Sequence, residues 1–126
     1  MAAVTVVKAR PCTPVGYEVN DKCVLSGAVT AGDALKFTGA VSNGQPVMAK
    51  ATGGSTEVDG IALQDGYDGQ AGFSYGLAGE MDGFSGMTPG TAIYPAPSTA
   101  GGWDTSAAGA IRAKAITTTR IRYNLV

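Results

Sequence analysis

Two alternating runs, Ala110-Ile-Arg-Ala-Lys-Ala-Ile116 and Thr119-Arg-Ile-Arg-Tyr-Asn-Leu125, close the sequence. In the first, Arg112 and Lys114 share one face, while Ile111, Ala113 and Ala115 share the other. In the second, Arg120, Arg122 and Asn124 alternate with Ile121, Tyr123 and Leu125. A period of two puts successive side chains on opposite faces of a strand. Both runs therefore read as half-buried strands with a cationic outer face.

The same reading extends toward the N-terminus. Ala92-Ile-Tyr94 is a short strand ended by Pro95 and Pro97, and Thr88-Pro-Gly90 has Pro and Gly where a type II turn wants them. Ala71 to Leu77 is a strand with Phe73, Tyr75 and Leu77 on one face, entered from a corner at Asp65-Gly-Tyr-Asp-Gly69. Val58 to Leu63 follows a turn at Gly53-Gly54. Ala34 to Thr38 and Pro46 to Ala51 each alternate, and the Asn-Gly pair between them is the signal of a tight hairpin. No window of eleven or more residues shows helical periodicity. The prediction is an all-β domain, a small antiparallel sandwich or barrel of eight to ten short strands.

Gly66, Gly69, Gly72, Gly76, Gly79, Gly83, Gly86 and Gly90 punctuate one acidic stretch. A glycine inside a strand costs about 0.5–1 kcal/mol relative to alanine, so eight would cost roughly 4–8 kcal/mol. That rivals a domain's whole net stability of about 5–15 kcal/mol. Most are therefore expected in turns, unless outside contacts offset them, and Glu80 and Asp82 are expected to flank a turn. The spacing fits neither collagen nor a phosphate-binding loop.

At the other end, Val4 to Lys8 is β-branched and Arg10-Pro-Cys-Thr-Pro14 brings two prolines three positions apart. Proline is tolerated in strands at edges. Residues 1–14 are expected as an extended N-terminal arm with a strand at its tip, or as a frayed end, and residues 15–126 as a single β domain. The N-terminus lacks the basic leader and apolar core of a secretory signal, and no run approaches the ~20 apolar residues needed to cross a bilayer. Synthesis in a cytoplasm is expected. Cys12 and Cys23 could close a small loop, although that compartment keeps thiols reduced.

The chain has no histidine, so no Ser-His or Cys-His pairing exists for nucleophilic catalysis. Asp65, Asp68, Glu80 and Asp82 lack the spacing that wraps calcium, and Glu80 with Asp82 makes a poor glycosidase pair in so small a domain. No enzyme activity, cofactor or metal is expected. Trp103 could stack on a sugar, but after Gly101-Gly102 it reads better as a packing anchor or interface contact. Formal charge is −1, which gives no field to draw in nucleic acid or anionic lipid. The charge is nevertheless ordered: seven acidic residues lie from Glu57 to Asp104, and no Lys or Arg lies between Lys50 and Arg112. This order has two readings: acidic strands lie beside basic ones within one fold, or they meet basic strands on neighbouring copies.

Gly32-Asp-Ala-Leu-Lys-Phe37, Gly44-Gln-Pro-Val-Met-Ala-Lys-Ala51, Val58-Asp-Gly-Ile-Ala-Leu63, Gly86-Met-Thr-Pro-Gly-Thr-Ala-Ile-Tyr94 and Gly101-Gly-Trp-Asp-Thr105 stand in this order. The order, from about Ala31 to Val126, resembles the head decoration, or capsid cement, proteins of tailed bacteriophages. The resemblance implies a small β protein on the outer surface of the virion, usually a homotrimer, that clamps neighbouring copies of the major capsid protein and catalyses nothing. Val4, Val6, Lys8 and Arg10 in the arm, with Tyr94 and Trp103 as anchors, are the expected capsid or subunit contacts. A β-rich tail-fibre or receptor-binding domain is the nearest rival. Such a domain is expected within a longer chain with a coiled stem, whereas this sequence begins at Met1 and has no heptads. A carbohydrate-binding module would need a platform of exposed aromatics.

Overall fold

Ten strands and no helix make up the regular structure of the described residues. The structure, a computed structural model, describes residues 3–11, 18–51, 58–95, 101–105 and 113–125, with the side chains of residues 3, 5–8 and 95 outside that description. The strands are β1 (Ala3–Pro11), β2 (Val19–Leu25), β3 (Ala34–Ser42), β4 (Gln45–Lys50), β5 (Gly60–Ala62), β6 (Phe73–Ser85), β7 (Ala92–Pro95), β8 (Trp103–Asp104), β9 (Ala113–Ala115) and β10 (Ile121–Asn124). The all-β class read from the sequence is the class observed.

All ten strands belong to one mixed sheet, and its pairings close on themselves twice. In the first circuit β6, β2, β4, β3 and β5 return to β6: Met48 pairs with both Leu25 and Phe37, Leu35 with both Lys50 and Gly60, and Ile61 with both Ala34 and Gly76. In the second, β6 is joined through β1, β8, β7, β9 and β10 back to itself. Strand β6 belongs to both. Its first half lies between β2 and β5, and its second half lies between β1 and β10. Each circuit closes over its own core. Cys23, Leu25, Leu35, Met48, Phe73 and Tyr75 fill the first, while Val4, Met81, Phe84, Ile93, Trp103 and Ile121 lie in the second.

Local signals land where the sequence puts them. Ser42 stands opposite Gln45 across a two-residue turn in which Asn43 (φ 53°) and Gly44 (φ 75°) are both left-handed, as a type I′ hairpin requires. The Thr91 amide donates to the Thr88 carbonyl at 3.1 Å across Pro89 and Gly90, whose φ of 87° makes the turn type II. Ala113, Ala115, Ile121 and Tyr123 are buried, while Lys114, Arg122 and Asn124 between them are exposed. Arg112 lies outside the described residues.

Within the glycine-rich stretch, Gly69, Gly72, Gly86 and Gly90 lie in turns or bends as expected, whereas three other glycines and the two carboxylates expected to flank a turn do not. Strand β6 runs thirteen residues straight through Gly76, Gly79 and Gly83, and Glu80 and Asp82 lie inside it. The reason is space for Tyr123: a Cβ on Gly76 would overlap the Tyr123 hydroxyl, and one on Gly79 would come within 3.0 Å of it. The buried tyrosine that crosses these glycines is the contact that offsets their backbone entropy. Gly76→Ala is expected to cost about 1–3 kcal/mol by overpacking. In urea unfolding, adding Tyr123→Phe should recover part of that loss.

The N-terminal segment differs as well. It is extended, but it is not a free arm. Thr5 and Val6 pair with Ser85 and Phe84, Arg10 and Pro11 pair with Asp82 and Met81, and Ala3 and Val4 pair with Asp104 and Trp103. Val4 and Ala9 are buried in the core. Pro11, with no N–H to offer, stands at the strand's last position, where a ladder tolerates it.

Candidate contact surface

Most of the acidic stretch is used inside the fold. Asp65 accepts a hydrogen bond from the Ala31 amide at 2.9 Å, Asp68 from Gly27 at 2.8 Å, and Asp59 from Phe37 at 2.9 Å. Asp33 accepts from Thr30 at 2.8 Å and lies 3.8 Å from the Lys50 ammonium. These carboxylates pin loops around the first circuit. On the second, charge order along the chain becomes adjacency across strands. Arg122 stands opposite Glu80 and donates to it through Nε and Nη2 at 3.1 and 3.0 Å, with Arg120 at 3.9 Å from the other oxygen. Arg10 stands opposite Asp82, 3.7 Å away. Acidic and basic strands therefore neighbour one another within the fold.

Asp82 also accepts from the Gly83 amide at 2.8 Å. That bond, a second from the Thr119 side chain, and the nearby Arg10 and Arg120 guanidinium groups hold its carboxyl below the usual carboxylate range. A depressed folded-state value means the stabilisation is fully present above about pH 4, where the unfolded carboxylate is ionised, and is lost as pH falls through the folded value. Asp82→Asn is expected to destabilise at pH 7 and to narrow the gap between unfolding midpoints at pH 7 and pH 3.

The expected contact residues do not form one surface. Val4 and Trp103 pair with each other across β1 and β8, but both face inward, with Trp103 1% exposed. The Trp103 indole N–H donates to the Gly32 carbonyl at 2.7 Å, so this residue anchors packing. Tyr94 is half-buried opposite Asp104, and Arg10 is exposed beside Asp82. The side chains of Val6 and Lys8 lie outside the described residues.

Sequence reasoning missed the exposed apolar residues of the β3–β4 hairpin. Pairing with β5 ends at Leu35, so among the described residues the rest of β3 has β4 as its one strand partner, and its ladder is irregular between Phe37 and Val41. Phe37 is 45% exposed, its ring edge-on to Tyr75, and Val41 is 73% exposed. The Asn43-Gly44 turn was the available signal: it carries the hairpin tip beyond the reach of a third strand. Tyr67, in the corner before β6, is also exposed.

Cys23 is buried, and burial, with the Asp21 charge adding to it, pushes its thiol up to about 11. At neutral pH it is a packed thiol, not a nucleophile. Cys12 lies outside the described residues. No three His, Cys, Asp or Glu side chains gather as a metal site among the described residues, and no helix there is long and apolar enough to cross a membrane. No family model, curated protein or solved structure matches the chain.

Proposed function

We propose that the chain is a capsid decoration protein, a structural component that binds the outer surface of a tailed-phage head as a homotrimer and braces the major capsid protein. It works by adhesion, with no catalysis, cofactor, nucleic acid or membrane. The observation that carries this reading is where the decoration-like phrases meet. Ala34 donates to the Gly101 carbonyl, Gly101 to Ala51 and Ala51 to Ala34, each at 2.8 Å. Asp59 donates to Leu35 at 2.8 Å, Gly32 to Ala62 at 2.7 Å, and Trp103 to Gly32. Four of the five phrases thus converge on the junction that locks the two circuits together, a rigid joint of the kind a brace needs.

A ligand that binds only the mature lattice stabilises it by RT ln(1 + [L]/Kd), multiplied over many copies. The protein is expected to co-sediment with expanded heads prepared without it. Val41→Asp, at the exposed hairpin, is expected to weaken that binding about tenfold with its unfolding midpoint unchanged. Adhesion to host cells with no binding to heads would instead support a tail-fibre role.

A further inference from the structure

Lys114 on β9 stands directly opposite Arg122 on β10. Like charges in register across strands repel, and sheets ordinarily avoid them. Arg122 is partly neutralised by Glu80, but Lys114 is exposed and has no ion pair among the described residues. With Arg120, 42% exposed at the side chain, and Arg10, 66% exposed, the outer face of β9, β10, β6 and β1 carries four cations. Glu80 and Asp82 pair with three of them, Arg122, Arg120 and Arg10, which leaves two acidic groups against four cations. A surplus of positive charge, held in a repulsive register on a solvated face, is stabilised when an anion covers it.

The other end of the molecule offers the complement. The corner before β6 holds Asp65 and Asp68, both exposed, and residues 51–79 contain no Lys or Arg. Each carboxylate uses Oδ1 for a loop amide, which leaves the second oxygen available. Phe73, near the corner, and Glu80 are seven residues apart on β6, roughly 23 Å at the rise of a strand.

We propose that the Lys114–Arg122 face of one copy docks on the Asp65–Asp68 corner of a second copy, head to tail. Different patches meet at such a contact, so repetition closes a ring when the rotation allows it. Opposite potentials fix the register of the contact and speed the encounter. A long polyanion fits less well, because the chain's net charge is −1 and the acidic corner would repel it. The inference deepens the homotrimer in the proposed function by naming the surfaces through which copies meet.

Sedimentation velocity on the purified protein tests it. At about 50 mM salt the wild type is expected to sediment as an assembly, and at about 0.5 M salt, where the Debye length is a few ångströms, it should shift toward monomer. Lys114→Glu should be monomeric at both concentrations, with a circular dichroism melting midpoint no lower than that of the salt-dissociated wild type, since it replaces a repulsive cross-strand pair with an attractive one. Asp68→Asn, which keeps an oxygen for the Gly27 amide, should behave likewise. A trimer indifferent to salt and to both variants would overturn the docking while leaving the homotrimer standing. A wild-type monomer under every condition would overturn both, and head binding is read separately by co-sedimentation. Retention of a short DNA duplex by wild type, lost in Lys114→Glu and without self-association, would overturn the second copy as occupant in favour of a polyanion.

Discussion

Deletion of residues 2–11 is expected to abolish cooperative unfolding, leaving a chain with β-type far-ultraviolet signal but no fixed aromatic environment. Strand β1 covers one side of the second half of β6 and is the partner that joins it to β8. Without it Val4 and Ala9 leave the core, the backbone of β6 near Met81 and Phe84 loses its ladder, and the inward face of Trp103 meets water. Uncovering Met81, Phe84 and Trp103 while removing Val4 and Ala9 is comparable to several core truncations at about 2–5 kcal/mol each, which is of the order of the whole net stability of about 5–15 kcal/mol. Near-ultraviolet circular dichroism and urea unfolding read this directly. A truncated form that unfolds cooperatively at the wild-type midpoint would show that β1 is dispensable.

Trp103→Ala is expected to cost about 3–5 kcal/mol from the cavity alone. It also strips the Gly32 carbonyl of its indole partner in a buried setting, which adds about 1–3 kcal/mol. Together these should lower the melting temperature by more than about 10 °C. Trp103→Phe separates the two effects, since it retains much of the ring and loses the hydrogen bond. If both variants melt with the wild type, the junction between the circuits does not depend on this residue.

What the sequence made legible was local chemistry. Asn43-Gly44 needs only its own two residues to dictate a type I′ turn, and Thr88-Pro-Gly90 is equally self-contained. The alternation of β9 and β10 shows because one side of each faces a core and the other faces water. The path of β6 was not legible, because the room that its glycines leave is filled by Tyr123, more than forty residues away. A packing anchor or interface contact was legible for Trp103, but its acceptor was not, since Gly32 lies 71 residues earlier. Read alone, the prolines near β1 suggested an extended arm with a strand at its tip, whereas the register with β6 and β8 is a property of the assembled sheet. The exposure of Phe37 and Val41 likewise depends on where β5 stops, which no local pattern around them records.

Scanning calorimetry of expanded phage heads, with and without the purified protein, bears most directly on the proposal that this chain is an adhesive brace. Saturated heads should disrupt at a temperature several degrees higher than bare heads, with the increment set by free protein concentration as mass action requires. Heads that disrupt at the same temperature, at protein concentrations high enough to coat them, would contradict it.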